Sequence, residues 1–192
     1  MIATLYKCFQ HWSAKGSVYI ISDTHFDDTD CKLMDPDWIT PEEQVAKLKK
    51  KAHKNDTLIH LGDVGDPKYM DALKCHKVLI MGNHDQSKTK FEAHFDEIFD
   101  GPVFIAEKIL LSHEPVTGLD WCMNIHGHDH ADAFPKDGRH VNLAANVCGY
   151  KPFDLGREIK HGLLGGIESI HRQTINRATE RKKDREQGKD DA

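Results

Sequence analysis

Short apolar runs that break off abruptly into Asp, Asn or His constrain this chain more than any other feature. Val18-Tyr19-Ile20-Ile21 reads as a buried strand and stops at Ser22-Asp23-Thr24-His25. Thr57-Leu58-Ile59-His60-Leu61 is a second such strand and ends in Gly62-Asp63, while Lys77-Val78-Leu79-Ile80 is a third and ends in Gly82-Asn83-His84-Asp85. Between the first two, Thr40-Pro41-Glu42-Glu43 predicts a helix start: a capping Thr, Pro at the first helical position, then acids in the first turn. That helix is expected to run through Val45, Ala46 and Leu48 to about Lys54-Asn55, and a short helix is expected over 69–73. Strand alternating with helix predicts an α/β first half.

The second half reads as richer in strands. Val103-Phe104-Ile105, Ile109-Leu110-Leu111-Ser112, Met123-Asn124-Ile125-His126 and His140-Val141-Asn142-Leu143 are short and β-like, with turns such as Asp137-Gly138 between them. After Pro152 the pattern turns helical, with Leu163, Leu164, Ile167, Ile170, Thr174, Ile175 and Ala178 near a 3.6-residue period. From Arg181 onward the chain is almost wholly polar and is expected to fray. The expected division is one domain over 1–165 and a C-terminal amphipathic helix with a polar tail over 166–192.

Composition narrows the function classes. The chain has 192 residues, enough for one domain with a sizeable core. No apolar run approaches the ~20 residues that span a membrane, and the first ten residues lack the pattern of a secretory leader. A reducing cytoplasm is the expected address. The five cysteines are odd in number and form no Cys-x-x-Cys, which argues against a disulfide framework or a thiolate zinc site. A net charge of -5 and the lack of a basic stripe in the first 150 residues argue against nucleic acid as a partner. Arg172, Arg177, Arg181, Lys182, Lys183 and Arg185 are interleaved with acids and read as a solvated helix face, and the helix itself as a docking element or homodimer contact. Histidine is the outlier, with 14 copies, and it is the commonest metal ligand.

Placement gives those histidines meaning. Asp23 and His25 follow the first strand, Asp63 the second, Asn83 and His84 the third, His113 the Leu110-Leu111-Ser112 run, and His128 and His130 the Met123-Asn124-Ile125 run. In α/β sheets the carboxyl ends of strands are where sites assemble, so five strand ends can deliver these side chains to one place. Asp, His and one Asn oxygen are hard-to-borderline ligands. The Asp-x-His and His-x-His spacings put both members on one side of an extended segment. His60 and His126 read as packed or ligand-supporting groups. His11, His53, His76, His94, His140, His161 and His171 read as ordinary surface or core residues.

The ordered set Asp23-Thr24-His25, Gly62-Asp63, Gly82-Asn83-His84-Asp85, Ser112-His113 and Gly127-His128-Asp129-His130 resembles the calcineurin-like metallophosphoesterase superfamily, in its small single-domain bacterial and phage form, over residues 18 to about 150. The acid at Asp129 is a modest departure from that pattern. The resemblance implies an α/β fold, a four-layer α-β-β-α sandwich of two mixed sheets flanked by helices. It implies that Asp23, His25 and His130 hold one divalent ion, that Asn83, His113 and His128 hold a second, and that Asp63 bridges both. His84 would face the leaving group as an acid, or else only position Asn83, and Asp85 would orient the His84 ring. Two divalent ions, two carboxylates and a bridging hydroxide leave one net positive charge, which suits a phosphate anion. The expected reaction is hydrolysis of a small phosphomonoester or phosphodiester, a nucleotide or cyclic nucleotide among them, by attack of that hydroxide. Mn²⁺ is the expected metal, with Fe, Zn²⁺, Ni²⁺ and Co²⁺ as alternatives. A catalytically silent metal-binding scaffold is the second reading. Selectivity is expected from the loops over 26–39, 64–70, 86–95 and 114–121. Asn146 to Pro152 resembles a stretch near the site rim in small members, or is a strand ending in a Gly turn.

Overall fold

A computed structural model describes residues 1–134 and 136–187 and contains two mixed sheets with flanking helices. The first sheet has the order β4-β3-β2-β1-β9. Its strands β1 (Val18–Ile21), β2 (Thr57–His60), β3 (His76–Ile80) and β4 (Glu97–Phe99) are parallel, and β9 (Phe153–Asp154) closes the edge antiparallel to β1. The second sheet has the order β5-β6-β7-β8. Here β5 (Val103–Ala106) and β6 (Ile109–Leu111) form an antiparallel pair, and β6, β7 (Met123–His126) and β8 (His140–Asn142) run parallel.

The period-two alternation of side chains decides how the sheets stack. Val18, Ile20, Ile59, Leu61, Val78 and Ile80 face Ile105, Ile109, Leu111, Met123, Ile125 and Leu143 across the space between the sheets. The intervening positions Ile21, Leu58 and Leu79 point the other way, onto Val45 and Leu48 of helix α2 (Pro41–Lys49), which follows the one-turn helix α1 (Cys31–Met34), and onto Phe26, Met70 and Phe91. Burial on both faces explains why β1 to β3 read as unbroken apolar runs rather than alternating ones. On the second sheet, loops supply part of the cover. The Val116 N–H donates to Asn124 Oδ1 at 2.8 Å, and the Phe134 ring packs on His126.

Helix α2 begins where expected, with a full capping box between Thr40 and Glu43. It ends at Lys49, several residues before Lys54-Asn55, because Asp56 takes over: its carboxylate accepts the N–H groups of His53 and Ser17 at 2.8 Å each and folds 50–56 into a turn that aims the chain into β2. The short helix expected over 69–73 is a 3-10 turn over Pro67–Ala72, capped by Asp66. The strands β4 and β9 were not anticipated. Each is two or three residues long and carries an acid, so neither shows a pattern of its own.

The C-terminal segment differs most. After helix α3 (Leu155–Lys160), residues 161–166 form turns broken by Gly162 at a φ of 98°. Leu163, Leu164 and Ile167 pack on the inter-sheet core from this segment, not from a helix. Helix α4 (Ile170–Glu186) starts only at its Ser169 cap and buries none of its residues. The 3.6-residue period therefore spanned a turn and a helix that share no face. Helix α4 also continues past Arg181, where fraying was expected; positions 188–192 of the expected polar tail lie outside the described residues. No helix of the described residues is long and apolar enough to cross a membrane. All five cysteines are free.

Candidate metal centre

The parallel strands of both sheets end on one rim, and the sheets touch there: the Ser22 N–H donates to Leu143 O at 3.0 Å, just beyond β1 and β8. The residues that follow these strands bend sharply. Asp23, His25, Asp63 and His128 have φ values of 55°, 42°, 54° and 66°, in the left-handed region that side chains other than glycine seldom occupy. Strain of this kind persists only where the surroundings enforce it, and it clusters at functional sites. Here backbone bonds between the loops enforce it: Asp23 N–H to Gly62 O at 2.9 Å, His25 N–H to Asp63 O at 3.0 Å, and Phe26 N–H to Val64 O at 2.8 Å.

The bends bring two groups of side chains together. In the first, ligand-type atoms of Asp23, His25 and His130 lie within 4.8 Å of one another; in the second, those of Asp63, His113 and His128 do. Asn83 joins the second group, its Oδ1 2.8 Å from His113 Nε2, and His128 Nδ1 lies 3.1 Å from the same nitrogen. Asp63, a member of the second group, also reaches toward the first. Its Oδ2 lies 3.2 Å from His113 Nε2 and 3.7 Å from His25 Nε2.

Three of these imidazoles have their Nδ1 engaged by an outer partner. His113 Nδ1 donates to Leu61 O at 2.9 Å; His25 Nδ1 meets Asp28 Oδ2 at 3.1 Å; His130 Nδ1 meets Asn146 Oδ1 at 3.2 Å. Fixing the proton on Nδ1 leaves the Nε2 lone pair free for a metal, and such outer partners are the usual companions of metal-binding histidines. Those lone pairs face carboxylates: His113 and His25 face Asp63, and His130 Nε2 lies 3.5 Å from Asp23 Oδ1. Acceptor set against acceptor calls for a cation between them. Asp23 Oδ1 and His25 Nε2 are buried with no hydrogen-bond partner, and an unsatisfied buried polar group costs ~1–3 kcal/mol. The residues present thus fit divalent ions.

Burial alone would raise the Asp63 carboxyl, but His113 beside it and the His84 N–H hold it down at about 2. Burial pulls the His25 imidazole below its ordinary value despite Asp63 and Asp23 nearby. His60 is wholly buried and pushed down to about 3, so it is neutral. It accepts from the Gly62 N–H on Nδ1 and donates to Thr24 Oγ1 from Nε2 at 3.0 Å, which makes it a packed, loop-tying residue.

His84 is exposed at the rim, its ring 5.6 Å from that of His25, and its backbone N–H donates to Asp63 Oδ1 at 2.9 Å. The expected role of Asp85 is corrected. Its carboxylate does not hold the His84 ring; it accepts the backbone N–H groups of Asp63 and Gly82 at 2.8 and 2.9 Å and of Val64 at 3.2 Å. Asp85 is buried and clamps the loops after β2 and β3 together. Two supporting residues escaped the sequence reading of roles: Asp28, and Asn146, which also donates to His130 O at 2.9 Å. Asp129 accepts the Phe134 N–H at 2.7 Å and shapes its own loop. Beside His128 and His130 opens a cavity of about 700 Å³ with Met34, Ala131, Ala133 and Phe134 in its wall.

A sequence model of the calcineurin-like phosphoesterase superfamily domain matches residues 17–150, the stretch that carries every one of these side chains. The chain belongs to this superfamily. Its members are phosphoesterase hydrolases, and the His/Asp groups described above are the part of this calcineurin-like phosphoesterase suited to divalent metal. Among solved structures it is similar to the protein of unknown function AQ665 from Aquifex aeolicus, at 28% identity and a TM-score of 0.62, over 76% of this chain and 98% of that one. Pseudomonas putida nuclease MPE shares 23% identity at a TM-score of 0.45, over 62% of this chain and 63% of that one. No curated protein sequence matches this calcineurin-like phosphoesterase.

Proposed function

We propose that the chain hydrolyses a small phosphomonoester or phosphodiester, with nucleotides and cyclic nucleotides in that class, at a centre of two divalent ions, Mn²⁺ in its active form. The observation that carries this reading is the position of Asp63, whose single oxygen Oδ2 lies against an imidazole of each group. In this reading Asp23, His25 and His130 hold one ion, Asn83, His113 and His128 hold the other, and Asp63 serves both. Bound divalent ions would supply Lewis acidity there, acidifying water and neutralising phosphate oxygens.

The chain's own residues do the rest. Asp28, Leu61 O and Asn146 fix the imidazole tautomers, and Asp85 keeps the loops after β2 and β3 in register. His84, on the open side beside His25, donates its proton to the departing oxygen. The cavity walled by Met34 and Phe134 takes the organic part of the ester.

Hydrolysis of p-nitrophenyl phosphate and of its bis-ester across a panel of Mn²⁺, Fe²⁺, Co²⁺, Ni²⁺ and Zn²⁺ tests the proposal. Turnover that needs metal is expected, fastest with Mn²⁺, and the ratio of the two substrates assigns monoester or diester. Tight binding of two ions without turnover on either ester would favour the scaffold reading instead. His84→Ala is expected to keep its metals and to lose roughly 10²–10⁴-fold on an alkyl ester, whose leaving group needs a proton. On the p-nitrophenyl ester, whose leaving group does not, it should lose little. Equal losses on both would make His84 a positioning residue for Asn83.

A further inference from the structure

A third group of metal-ligand type lies at the opposite end of β3. His76 is the first residue of that strand, so roughly 13 Å of strand separates it from the loop that bears Asn83 and His84. Glu97 opens β4 and pairs with Val78, which puts its side chain on the same face as His76, two residues earlier. The N-terminal 3-10 turn Lys7–Ser13 crosses this corner and brings in His11. Ligand-type atoms of His11, His76 and Glu97 all lie within 4.8 Å of one another.

Three ring nitrogens converge on one carboxylate oxygen. His11 Nε2 lies 2.7 Å and His76 Nε2 2.6 Å from one and the same oxygen, Glu97 Oε1, and Trp12 Nε1–H donates to that oxygen at 2.8 Å. The Trp12 donor is unambiguous, because an indole nitrogen can only donate. Two further imidazole nitrogens crowd the same oxygen. His76 also has an outer carboxylate: Asp96 Oδ2 lies 3.6 Å from its Nδ1, and Asp96 is itself held by the Lys77 N–H at 2.7 Å. Asp96 thus lies on the Nδ1 side of the ring, beyond hydrogen-bonding reach, and Nε2 faces Glu97. Two imidazoles and one carboxylate, with an open side toward solvent, form a donor set suited to Zn²⁺.

We propose that His11, His76 and Glu97 form a separate Zn²⁺ site that staples the N-terminal turn to the edge of the first sheet. The role is structural. Trp12 and Phe9 of the same turn pack edge-on against Phe99 of β4, so an ion here ties down a corner of the inter-sheet core. The site takes no part in the proposed hydrolysis, and its test does not depend on that reading.

The test counts ions. Metal-free protein is dialysed against free Zn²⁺ on the order of micromolar, the range of a specific site, and bound zinc per chain is measured by mass spectrometry. A His11→Gln/Glu97→Gln variant is expected to bind one ion fewer than the wild type. The same difference of one is expected when both proteins also carry His113→Gln at the candidate active centre, so the result does not ride on what that centre binds. Diffraction from zinc-soaked wild-type crystals at the zinc edge is expected to show an anomalous peak between the two Nε2 atoms; this readout needs no variant to fold. Equal zinc counts in the two proteins, or the absence of that peak, would overturn the proposal and leave the cluster proton-bridged.

Discussion

An Asp63→Asn variant is expected to fold and to lose about a thousandfold or more in phosphoester hydrolysis, the equivalent of the several kcal/mol that metal-based charge stabilisation supplies. Asp63 Oδ1 accepts the His84 N–H, a bond that an amide oxygen can keep. The amide nitrogen must then take the place of Oδ2, with its hydrogens aimed at His25 and His113. A charged acceptor, held ionised by a carboxyl value of about 2, becomes a neutral donor at the position that lies between the two groups. The checks are kcat/KM on a p-nitrophenyl ester and metal bound per chain, with the melting curve as control. Wild-type turnover in a correctly folded variant would remove Asp63 from the centre.

Gly62→Ala should lower stability by about 2–4 kcal/mol and hence Tm by roughly 5–15 °C for a chain of this size. Gly62 has a φ of 100°, and a Cβ there would collide with the Gly82 backbone, 2.6 Å from its Cα, and lie 2.9 Å from His113 Nδ1. Neither neighbour can retreat. Gly82 is fixed by Asp85, and the His113 ring by Leu61 O. Gly118→Ala is the matched control. Its φ is 80°, but a Cβ there meets nothing within 4 Å, so only backbone strain remains. Similar melting points for the two variants would show that the loops after β2 and β3 are not packed backbone to backbone.

The sequence made the rim of this fold legible and left its supports obscure, for a physical reason. Asp23, His25, Asp63, Asn83, His113, His128 and His130 each follow an apolar run directly, so one local pattern announces both strand and side chain. Asp85, Asp28 and Asn146 act on partners that are adjacent only after folding. Asp85 sits next to His84 in sequence, which made the ring of His84 its natural partner; in the structure it reaches to the backbone of another strand's loop. The start of helix α2 could be read from four consecutive residues, whereas its end depends on Asp56, which also binds Ser17 at the far side of β1. The C-terminal period misled for a related reason. Leu163 and Ile167 are apolar because they plug the inter-sheet core from a turn, and spacing alone does not distinguish that from a helix face.

The meeting of the two sheets at Ser22 and Leu143 bears on how this architecture can be divided. Asp23, His25, Asp63 and Asn83 come from the half of the chain before Gly101, and His113, His128 and His130 from the half after it. Neither ligand group is whole within one half: the first borrows His130 and the second borrows Asp63. A fragment ending between β4 and β5 would therefore carry only part of each group. Neither half alone could hold an ion with a whole group, and the side chains that would hold the ions also join one half to the other.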